Sequence, residues 1–481
     1  MKVFSELEKN IKIVKKRAAS DDVEFVDVLM GKTKGVLIYV KDLVNKDKIG
    51  DLIIRPLYKL KGTPDKKTIE DCLLCPEKDS ETEIDSVISA IVSGKAVLFT
   101  DGLKSAFTFG IEKFEKRSIT EPPTSTVIKG PREGFVESLS VNVSLLRRRL
   151  RTEKLKFFNI KRGKYSSTVI SVCYIDGVAD PKLVKKIKDK IKNISIDAVL
   201  DSSYVSKFLC EHKTSVFRQT GTTEKPDILA AKILEGRVAV FVDGSPIAIT
   251  LPYVLMEDFQ SPSDYYFLPY NATFARIIRL FSVSIALLLP AIFVSAELFH
   301  LQLIPLSFLL TIVGSIKGIP LSPSLEMFVT LLIFEILNET SVRMPRYVGM
   351  VVSIVGGLVL GETAVTAGII SAPTLMIIAF SGICLFTVPE LEKTFSVIRL
   401  LFLLVAGSVG AYGLLAAVAF FIIYLISFES YQTPLLAPFS PLITKDLKDG
   451  FYKGFIFEQK YLPQSIVNGR RKRLFDKKEN K

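Results

Sequence analysis

The sequence contains no tryptophan, and it has only two histidines and five cysteines among 481 residues. With His212 and His300 as the only imidazoles, a histidine-based catalytic set or zinc site has a poor supply of side chains. Cys72 and Cys75 form one C-x-x-C pair without a second pair, so we expect reduced structural cysteines. A Walker loop, a nucleophile elbow and a His-Glu-x-x-His pair are also missing. These absences predict that the chain is not an enzyme and holds no metal or cofactor.

Charge is missing from long stretches of the second half. Residues 280–299 carry Glu297 as their only charge, and residues 400–428 carry none. A membrane core of roughly 30 Å needs about 20 apolar helical residues to cross it, so both runs are predicted spans. Residues 348–371 and the shorter 373–388 are further candidates for membrane spans. Two other apolar segments, 303–315 and 327–337, suit a re-entrant loop and an interfacial or inward-facing helix. We expect four to six crossings.

The ends of the chain predict its orientation. The first nine residues lack the apolar stretch of a signal peptide, so we expect the soluble half to stay in the cytoplasm. The tail is basic, with Arg470, Arg471, Lys472 and Arg473 in a row, and basic flanks are retained inside. Nearly half of the net charge of +13 sits in this tail, which favours membrane lipid over nucleic acid as its partner. Both termini are therefore expected in the cytoplasm.

The soluble half contains one pattern twice. Residues 94–102 and 236–244 both read Gly, a basic residue, five strand-forming residues and then Asp-Gly, which predicts a β-hairpin in each copy. A predicted helix precedes each hairpin, at 84–92 and 228–234. Strands are predicted further upstream, at 35–40 and 168–175. The pattern indicates two small α/β subdomains, by duplication or by convergence.

A proline-rich linker is predicted at 121–126, followed by an amphipathic helix over 134–151. Arg147, Arg148 and Arg149 on this helix suit phosphate or lipid headgroups, or else a solvated face or a subunit contact. We divide the chain into a first cytoplasmic α/β subdomain, a linker with the basic helix, a second α/β subdomain, an α-helical multi-span membrane domain and a basic tail. Their bounds are 1–120, 121–160, 161–264, 265–444 and 445–481.

One predicted span is rich in small residues and carries a carboxylate. On a helical period, Glu362, Val365, Thr366 and Ile369 share a face. Several copies of that face around an axis would line a narrow cation pore with a carboxylate ring and an apolar gate. The alternative is that the small residues serve helix packing while Glu362 pairs with Arg343 or Arg346.

A second charged series lies in the membrane half. Glu335, Glu339 and Arg343 follow one another at intervals of four residues, so opposite charges meet on one helical stripe, with Arg346 one turn on. The stripe could relay ions, or it could be a salt bridge that holds the helix.

Several motifs identify a family. They are Gly130-Pro131-Arg132-Glu133-Gly134-Phe135-Val136-Glu137, Glu224-Lys225-Pro226-Asp227, Val242-Asp243-Gly244-Ser245-Pro246, Asp258-Phe259-Gln260-Ser261-Pro262, Phe334-Glu335-Ile336-Leu337 and Arg343-Met344-Pro345. In this order, over nearly the full length, the chain resembles the GerA family, the A subunits of bacterial spore germinant receptors. A related stage V sporulation paralogue shares the pattern.

The resemblance implies an inner-membrane subunit of the spore that works with a transporter-like B subunit and a lipoprotein C subunit. It also implies a homo-oligomer, a pentamer, that releases monovalent cations when a nutrient binds. The alternative function is a scaffold or solute carrier component that does not conduct. A channel needs the face at Glu362 around a symmetry axis, whereas a monomeric carrier does not.

Overall fold

The computed structural model describes residues 1–73, 75–111, 129–345, 357, 361–459 and 461–466. The chain forms two compact units. The first contains Met1–Val254, Ser430–Thr433 and the described residues from Ile456 on, and the second contains Leu255–Glu429 and Pro434–Phe455. The predicted linker at 121–126, most of the predicted span at 348–371 and the basic run at 470–473 lie outside the described residues.

The first unit holds two five-stranded antiparallel sheets. Their strands are β1 (Val23–Met30), β2 (Thr33–Val40), β3 (Lys78–Glu81), β4 (Ala96–Thr100), β5 (Ala106–Phe109), β6 (Leu155–Arg162), β7 (Thr168–Ile175), β8 (Gly221–Thr223), β9 (Val238–Val242) and β10 (Ala248–Leu251). The order is β1-β2-β4-β5-β3 in the first sheet and β6-β7-β9-β10-β8 in the second. The second order is the first shifted by five strands, so the two subdomains have the same topology.

Helices cover both faces of each sheet. The helices are α1 (Leu7–Arg17), α2 (Lys46–Ile49), α3 (Arg55–Tyr58), α4 (Lys66–Cys72), α5 (Ile84–Val92), α6 (Leu139–Arg149), α7 (Pro181–Lys192), α8 (Ser202–Leu209) and α9 (Pro226–Leu234). In the first subdomain α1 and α5 pack on one face, and α2, α3 and α4 on the other. In the second, α6 and α9 pack on one face, and α7 and α8 on the other. The basic helix, which we had grouped with the linker, therefore packs into the second subdomain.

The hydrogen bonds at the hairpins repeat as well. The backbone N–H of Leu7 donates to Asp101 Oδ1 at 3.2 Å, and that of Leu139 donates to Asp243 Oδ1 at 3.1 Å. Each carboxylate belongs to the Asp-Gly turn of its hairpin, and each N–H lies at the start of the first helix of its subdomain. The turn carboxylate thus satisfies a helix N–H that has no partner inside the helix.

A buried asparagine repeats in the same two helices. The side chain of Asn10 accepts from the N–H of Phe4 and donates to its carbonyl, and Asn142 does the same with Val136. Both asparagines are about 1% exposed. The two subdomains thus share their strand order, the hydrogen bonds at their hairpins and the paired asparagine hydrogen bonds. These shared features favour duplication over convergence.

The arginine run of α6 is engaged in ion pairs. Arg147 is 2% exposed and reaches across to the first subdomain, where its Nε and Nη2 donate to the two oxygens of Asp22 at 2.8 and 3.0 Å. Arg148 and Arg149 both pair with Glu133. Arg147 therefore joins the two subdomains of the first unit and is not available to phosphate, lipid or solvent. Arg148 and Arg149 stay partly exposed, and for them the phosphate or lipid contact, the solvated face and the subunit contact remain predictions.

The second unit is helical. Its helices are α10 (Pro269–Phe299), α11 (Leu306–Ile316), α12 (Pro323–Arg343), α13 (Ala372–Leu385) and α14 (Glu392–Ser427). Two short strands, β11 (Glu429–Ser430) and β12 (Thr433–Pro434), follow α14 in the chain. Among the described residues, α10 and the segment that contains α14 are long and apolar enough to cross a membrane. The helices α11 and α13, with 11 and 14 residues, are too short to cross straight.

The second of these two long apolar helices is bent at a glycine. Gly410 has φ 74° and ψ −154° in the middle of α14. A Cβ at this position would lie 2.9 Å from the ring of Phe299 at the end of α10. The conformation and the close approach both require glycine, so α14 consists of two helical stretches that meet in a sharp kink at Gly410.

Candidate functional site in the helical unit

Part of the candidate pore face lies on helical residues that the structure describes. Residues 361–366 are helical, and within them Glu362 and Thr366 are exposed while Val365 is half-buried. The hydroxyl of Thr366 donates to the backbone carbonyl of Glu362 at 2.8 Å. Glu362 has no ion pair among the described residues. Within one chain, this face thus presents a carboxylate, a hydroxyl and an apolar side chain without a packing partner for the carboxylate.

Ile369 does not continue the helical face. The N–H of Ile369 donates to the carbonyl of Ala364, and the N–H of Gly368 donates to that of Val365. With φ 67° at Gly368, these two bonds form a Schellman motif that ends the helix. The shared helical face predicted for all four residues is therefore wrong at Ile369, because a glycine in the left-handed region stops the helix before it. Ile369 is exposed just beyond the cap.

The chain after the cap is fixed by a buried carboxylate. Glu326 in the first turn of α12 is fully buried, and its Oε1 accepts from both the N–H and the hydroxyl of Ser371 at 2.7 Å. Ser371 is the N-cap of α13, with its hydroxyl 3.4 Å from the N–H of Thr374. Charge-assisted bonds of this kind are about twice as strong as neutral ones. The carboxylate thus holds the end of the candidate pore segment against α12.

The predicted charge stripe is divided between two partners. Arg343 pairs with Glu339 at 2.6 Å in an exposed contact one turn apart. Glu335 instead accepts from Arg399 of α14 at 2.5 Å. Arg346 lies outside the described residues. No ion pair joins Glu362 to Arg343. The structure therefore does not show the pairing with Arg343 that the packing alternative predicts.

Arg399 was not among the residues that sequence reasoning selected. It is 1% exposed inside the helical unit, and its Nη1 donates to the hydroxyl of Ser381 at 2.8 Å. That hydroxyl donates in turn to the carbonyl of Ala286 in α10 at 2.9 Å. Helices α10, α12, α13 and α14 therefore share one polar network. The sequence did contain a signal for Arg399, because it is a lone arginine directly before the longest uncharged run of the chain.

A second buried cluster surrounds two arginines in the N-terminal third of α10. Arg276 is 1% exposed and lies against Asp264 and Asp449, at 3.3 and 3.2 Å. Arg279 donates to both oxygens of Asp264, at 2.7 and 2.9 Å. These arginines, which the sequence suggested as flanking charges of a span, connect the segment before α10 to the segment after α14. The contact joins the two chain segments that enter and leave the helical unit.

The structure offers no conventional metal site in the part it describes. Among those residues no group of three or more histidine, cysteine or acidic side chains lies close enough to hold a metal ion. The five cysteines, Cys72 and Cys75 included, are unpaired thiols.

Comparison with known proteins gives a consistent assignment. A model of the Bacillus/Clostridium GerA spore germination protein family matches residues 11–465. The spore germination protein KA of Bacillus subtilis (strain 168) is 33% identical over 473 residues, which cover 96% of this chain and 86% of that protein. An uncharacterized membrane protein of the same strain, YfkQ, is 36% identical over 424 residues, which cover 87% and 83%. Stage V sporulation protein AF of that strain is 30% identical over 383 residues, which cover 79% and 77%.

One solved structure is also similar. It is the N-terminal domain of the A subunit of the Bacillus megaterium spore germinant receptor GerK3, with 25% identity and a TM-score of 0.42. The match covers 52% of this chain and 96% of that domain.

Proposed function

Because this chain belongs to the GerA family of spore germination proteins, we propose that it is the membrane subunit of a nutrient germinant receptor whose copies assemble into a ligand-gated channel for monovalent cations. In this proposal five copies surround one axis, and channel opening starts germination. The family resemblance supports both points.

The observation that carries the channel proposal is the exposed face at residues 361–366. Glu362 is exposed and has no ion pair among the described residues, next to the half-buried Val365. An unpaired carboxylate beside apolar helices is costly in a membrane unless water or a neighbouring subunit surrounds it. The Schellman cap at Gly368 and the contact between Ser371 and Glu326 hold the end of this segment, as a pore lining requires.

The proposed location is the inner membrane of the spore, with several crossings and both termini in the cytoplasm. Two helices of spanning length support a membrane location. Single cysteines at Lys9 and Lys477, in a chain whose five native cysteines are replaced by serine, test the orientation. A membrane-impermeant maleimide should label neither in intact cells and both after lysis. Labelling of either site in intact cells would contradict the orientation.

The proposed partners are a transporter-like B subunit, which senses the nutrient, and a lipoprotein C subunit. Family membership supports them. Affinity purification of the full chain from spore membranes should recover both in fixed proportion, and recovery of this chain alone would contradict the assembly.

The test of the channel is Val365→Ala. A smaller side chain at an apolar constriction lets water in, so we expect dormant spores to lose K⁺ without nutrient. The matched control is Val397→Ala, which removes the same atoms from an exposed position on α14. K⁺ retention is measured together with protein abundance. Normal retention with Val365→Ala at wild-type abundance would contradict the pore assignment.

The companion variant is Glu362→Gln, which keeps the shape of the side chain and removes its charge. We expect reduced cation flux in liposomes with unchanged assembly, because the carboxylate ring would be neutral. Glu326→Gln is the contrasting variant, since its carboxylate bonds to Ser371 inside one chain, and it should lower the amount of folded protein. Equal loss of abundance for both variants would favour packing over conduction.

A scaffold or solute carrier component that does not conduct is the second candidate. The network from Glu335 through Arg399 to Ser381 favours it, because it joins four helices inside one subunit without any symmetry axis. The oligomeric state in detergent, measured with ion flux in liposomes, separates the two functions. A monomer without flux would support the second.

A further inference from the structure

The outer surface of α8 exposes large apolar side chains. Tyr204 and Phe208 are four residues apart on this helix, so they share one face, and both are exposed. Leu200, in the loop before α8, is exposed as well. The opposite face of α8 packs into the core of the second subdomain through Val205 and Leu209. Three large exposed apolar side chains so close together indicate an interaction surface, because such side chains are normally exposed singly.

The surface around these side chains is basic. Helices α7 and α8 pack on the same face of the second sheet, so their exposed sides both point away from it. Residues 181–217, which contain both helices, include eight lysines against four acidic residues. Lys182 and Lys185 of α7 and Lys207 of α8 are exposed and form no ion pair within the described part of the chain. The exposed sides of α7 and α8 thus combine apolar side chains with unpaired positive charge.

Two of the four carboxylates in this stretch are already engaged. Glu211 pairs with Lys186 and accepts a hydrogen bond from the N–H of Tyr431 at 2.8 Å. Asp201 accepts from the hydroxyl of Ser245 at 2.6 Å. The other two are exposed, but the lysines outnumber them, so the charge of this surface is mostly positive.

The same two helices bind the chain that leaves the long apolar helix α14. That helix ends at Ser427, and Tyr431, which follows shortly after it, belongs to the first unit. The hydroxyl of Tyr431 donates to the carbonyl of Leu209, the last residue of α8, at 2.6 Å. The ammonium groups of Lys186 and Lys190 in α7 lie 5.1 and 4.6 Å from the centre of its ring. The segment that follows a helix of membrane-spanning length is therefore bound by the two helices that carry the exposed apolar and basic side chains.

We infer that the exposed face of α7 and α8 docks on an anionic lipid bilayer. Aromatic rings suit the headgroup level of a membrane, and lysines beside them are attracted to the anionic lipids of the inner leaflet. A second copy of the same face is a poor occupant, because lysines would oppose lysines across the contact. The inference rests on the proposed membrane location of the chain and is independent of conduction at residues 361–366.

The natural chain has no tryptophan, so a single introduced tryptophan can report on this face. The experiment uses Phe208→Trp in the full chain, reconstituted into nanodiscs of phosphatidylcholine with or without phosphatidylglycerol. Lipids with brominated acyl chains quench tryptophan fluorescence on contact. We expect quenching and a blue shift with phosphatidylglycerol and much weaker quenching without it, because each lysine near an anionic surface raises the ratio of docked to undocked protein by about fivefold.

Two further tryptophan positions serve as controls. Leu234→Trp is the matched negative control, because Leu234 is an exposed apolar residue of α9, on the opposite face of the same sheet, and it should not be quenched. Phe420→Trp, at an exposed position of α14, reports the membrane location itself and should be quenched in either lipid. Quenching of Phe420→Trp without quenching of Phe208→Trp would overturn the docking inference and leave the membrane location intact. Absence of quenching at both positions would overturn both.

Charge reversal supplies a second variant. Lys185→Glu combined with Lys207→Glu, in the Phe208→Trp chain, should lower the ratio of docked to undocked protein by about 25-fold or more. Both lysines are exposed and unpaired among the described residues, so the fold should be retained. Lys12→Glu combined with Lys16→Glu makes the same change of charge at exposed positions of α1, and it should leave the quenching nearly unchanged.

Two other outcomes would also overturn the inference. One is quenching in phosphatidylglycerol that survives the reversal of Lys185 and Lys207. The other is a blue shift of Phe208→Trp that persists in detergent and is insensitive to brominated lipid, because it would show that this face contacts protein, such as another copy of the chain.

Discussion

Arg147 and Asp22 form a bidentate ion pair between the two subdomains of the first unit, with both side chains no more than 3% exposed. The carbonyl of Thr152 and the hydroxyl of Ser20 also accept hydrogen bonds from the guanidinium. The ring of Phe157 lies 5.0 Å from it. The first unit is therefore held together by a polar contact whose charges are almost fully desolvated.

Removal of one partner of this pair should be costly. We expect Arg147→Ala to lower the free energy of unfolding by about 3–5 kcal/mol, because it leaves the Asp22 charge buried without a partner. Urea denaturation of a fragment of residues 1–263 measures the change. The control is Arg148→Ala, whose partly exposed pair with Glu133 should contribute about 1 kcal/mol or less. Equal effects of the two substitutions would show that the subdomains are held together by other contacts.

The independent folding of residues 1–263 is itself a prediction. We expect residues 1–263 to fold alone, because both subdomains have their own cores. The fragment lacks Tyr431, whose ring packs into the second core and whose hydroxyl donates to the carbonyl of Leu209 at 2.6 Å. It should therefore unfold cooperatively but be less stable than a version with residues 430–433 joined by a flexible linker. No gain from the added segment would contradict the role of Tyr431.

The sequence predicted the strands that lie inside each sheet and missed those at the edges. Central strands such as β2 and β9 are buried on both faces and read as nearly continuous apolar runs. The missed strands β1, β3, β6 and β8 are the four edges, and β3 reads Lys-Asp-Ser-Glu. Charges on an edge protect against aggregation and hide the strand from a hydrophobic pattern.

In the helical unit, the sequence pattern selected the carboxylates but did not predict the side chains that pair with them. The spacing of Glu335, Glu339 and Arg343 predicted one stripe, yet Glu335 bonds to Arg399, 64 residues later in the sequence. Periodicity describes one helix at a time, and the partner of a buried charge depends on which helices become neighbours. The Schellman cap at Gly368 was missed for a related reason, because glycine suits both helix packing and helix termination.

Arg399 gives a prediction within the membrane half. We expect Arg399→Ala to reduce the abundance of folded protein, since it leaves Glu335 without its cation and costs about 3–5 kcal/mol. Immunoblots of membranes and Tm in detergent measure the loss. Arg343→Ala is the control, because its pair with Glu339 is exposed and contributes about 0.5 kcal/mol or less. Wild-type abundance of Arg399→Ala would contradict a structural role for the network.

The kink in α14 predicts a strict requirement for glycine. We expect Gly410→Ala to cost about 1–3 kcal/mol, because its φ of 74° is strained for any other residue and the new Cβ would approach Phe299. Gly314→Ala in α11 is the control, since no atom lies within 4 Å of a Cβ there, and it should be neutral or slightly stabilising. Tm in detergent compares the two. A neutral Gly410→Ala would mean that α14 can straighten.

Asp201 predicts how the stability of the first unit depends on pH. Burial alone would raise the pKa of Asp201, but hydrogen bonds from the hydroxyl of Ser245 and the N–H of Ser203 outweigh it and bring the pKa to about 2. The folded pKa is thus below the value of about 4 expected in the unfolded chain. The contribution of Asp201 is therefore fully present above pH of about 4 and is lost as the pH falls to about 2.

Asp201→Asn should remove this part of the acid dependence. Asparagine also caps helices well, so the substitution changes the charge while it keeps the N-cap of α8. We expect a loss of no more than about 1 kcal/mol at neutral pH, because the side chain is partly exposed, and no difference from the wild type below pH of about 2. The control is Asp197→Asn, an exposed residue of the preceding loop, whose profile should follow the wild type. Urea unfolding of residues 1–263, between pH of about 2 and neutral pH, measures the stability of both variants. If Asp201→Asn differed from the wild type by the same amount at every pH, the hydrogen bonds would contribute through geometry and not through charge.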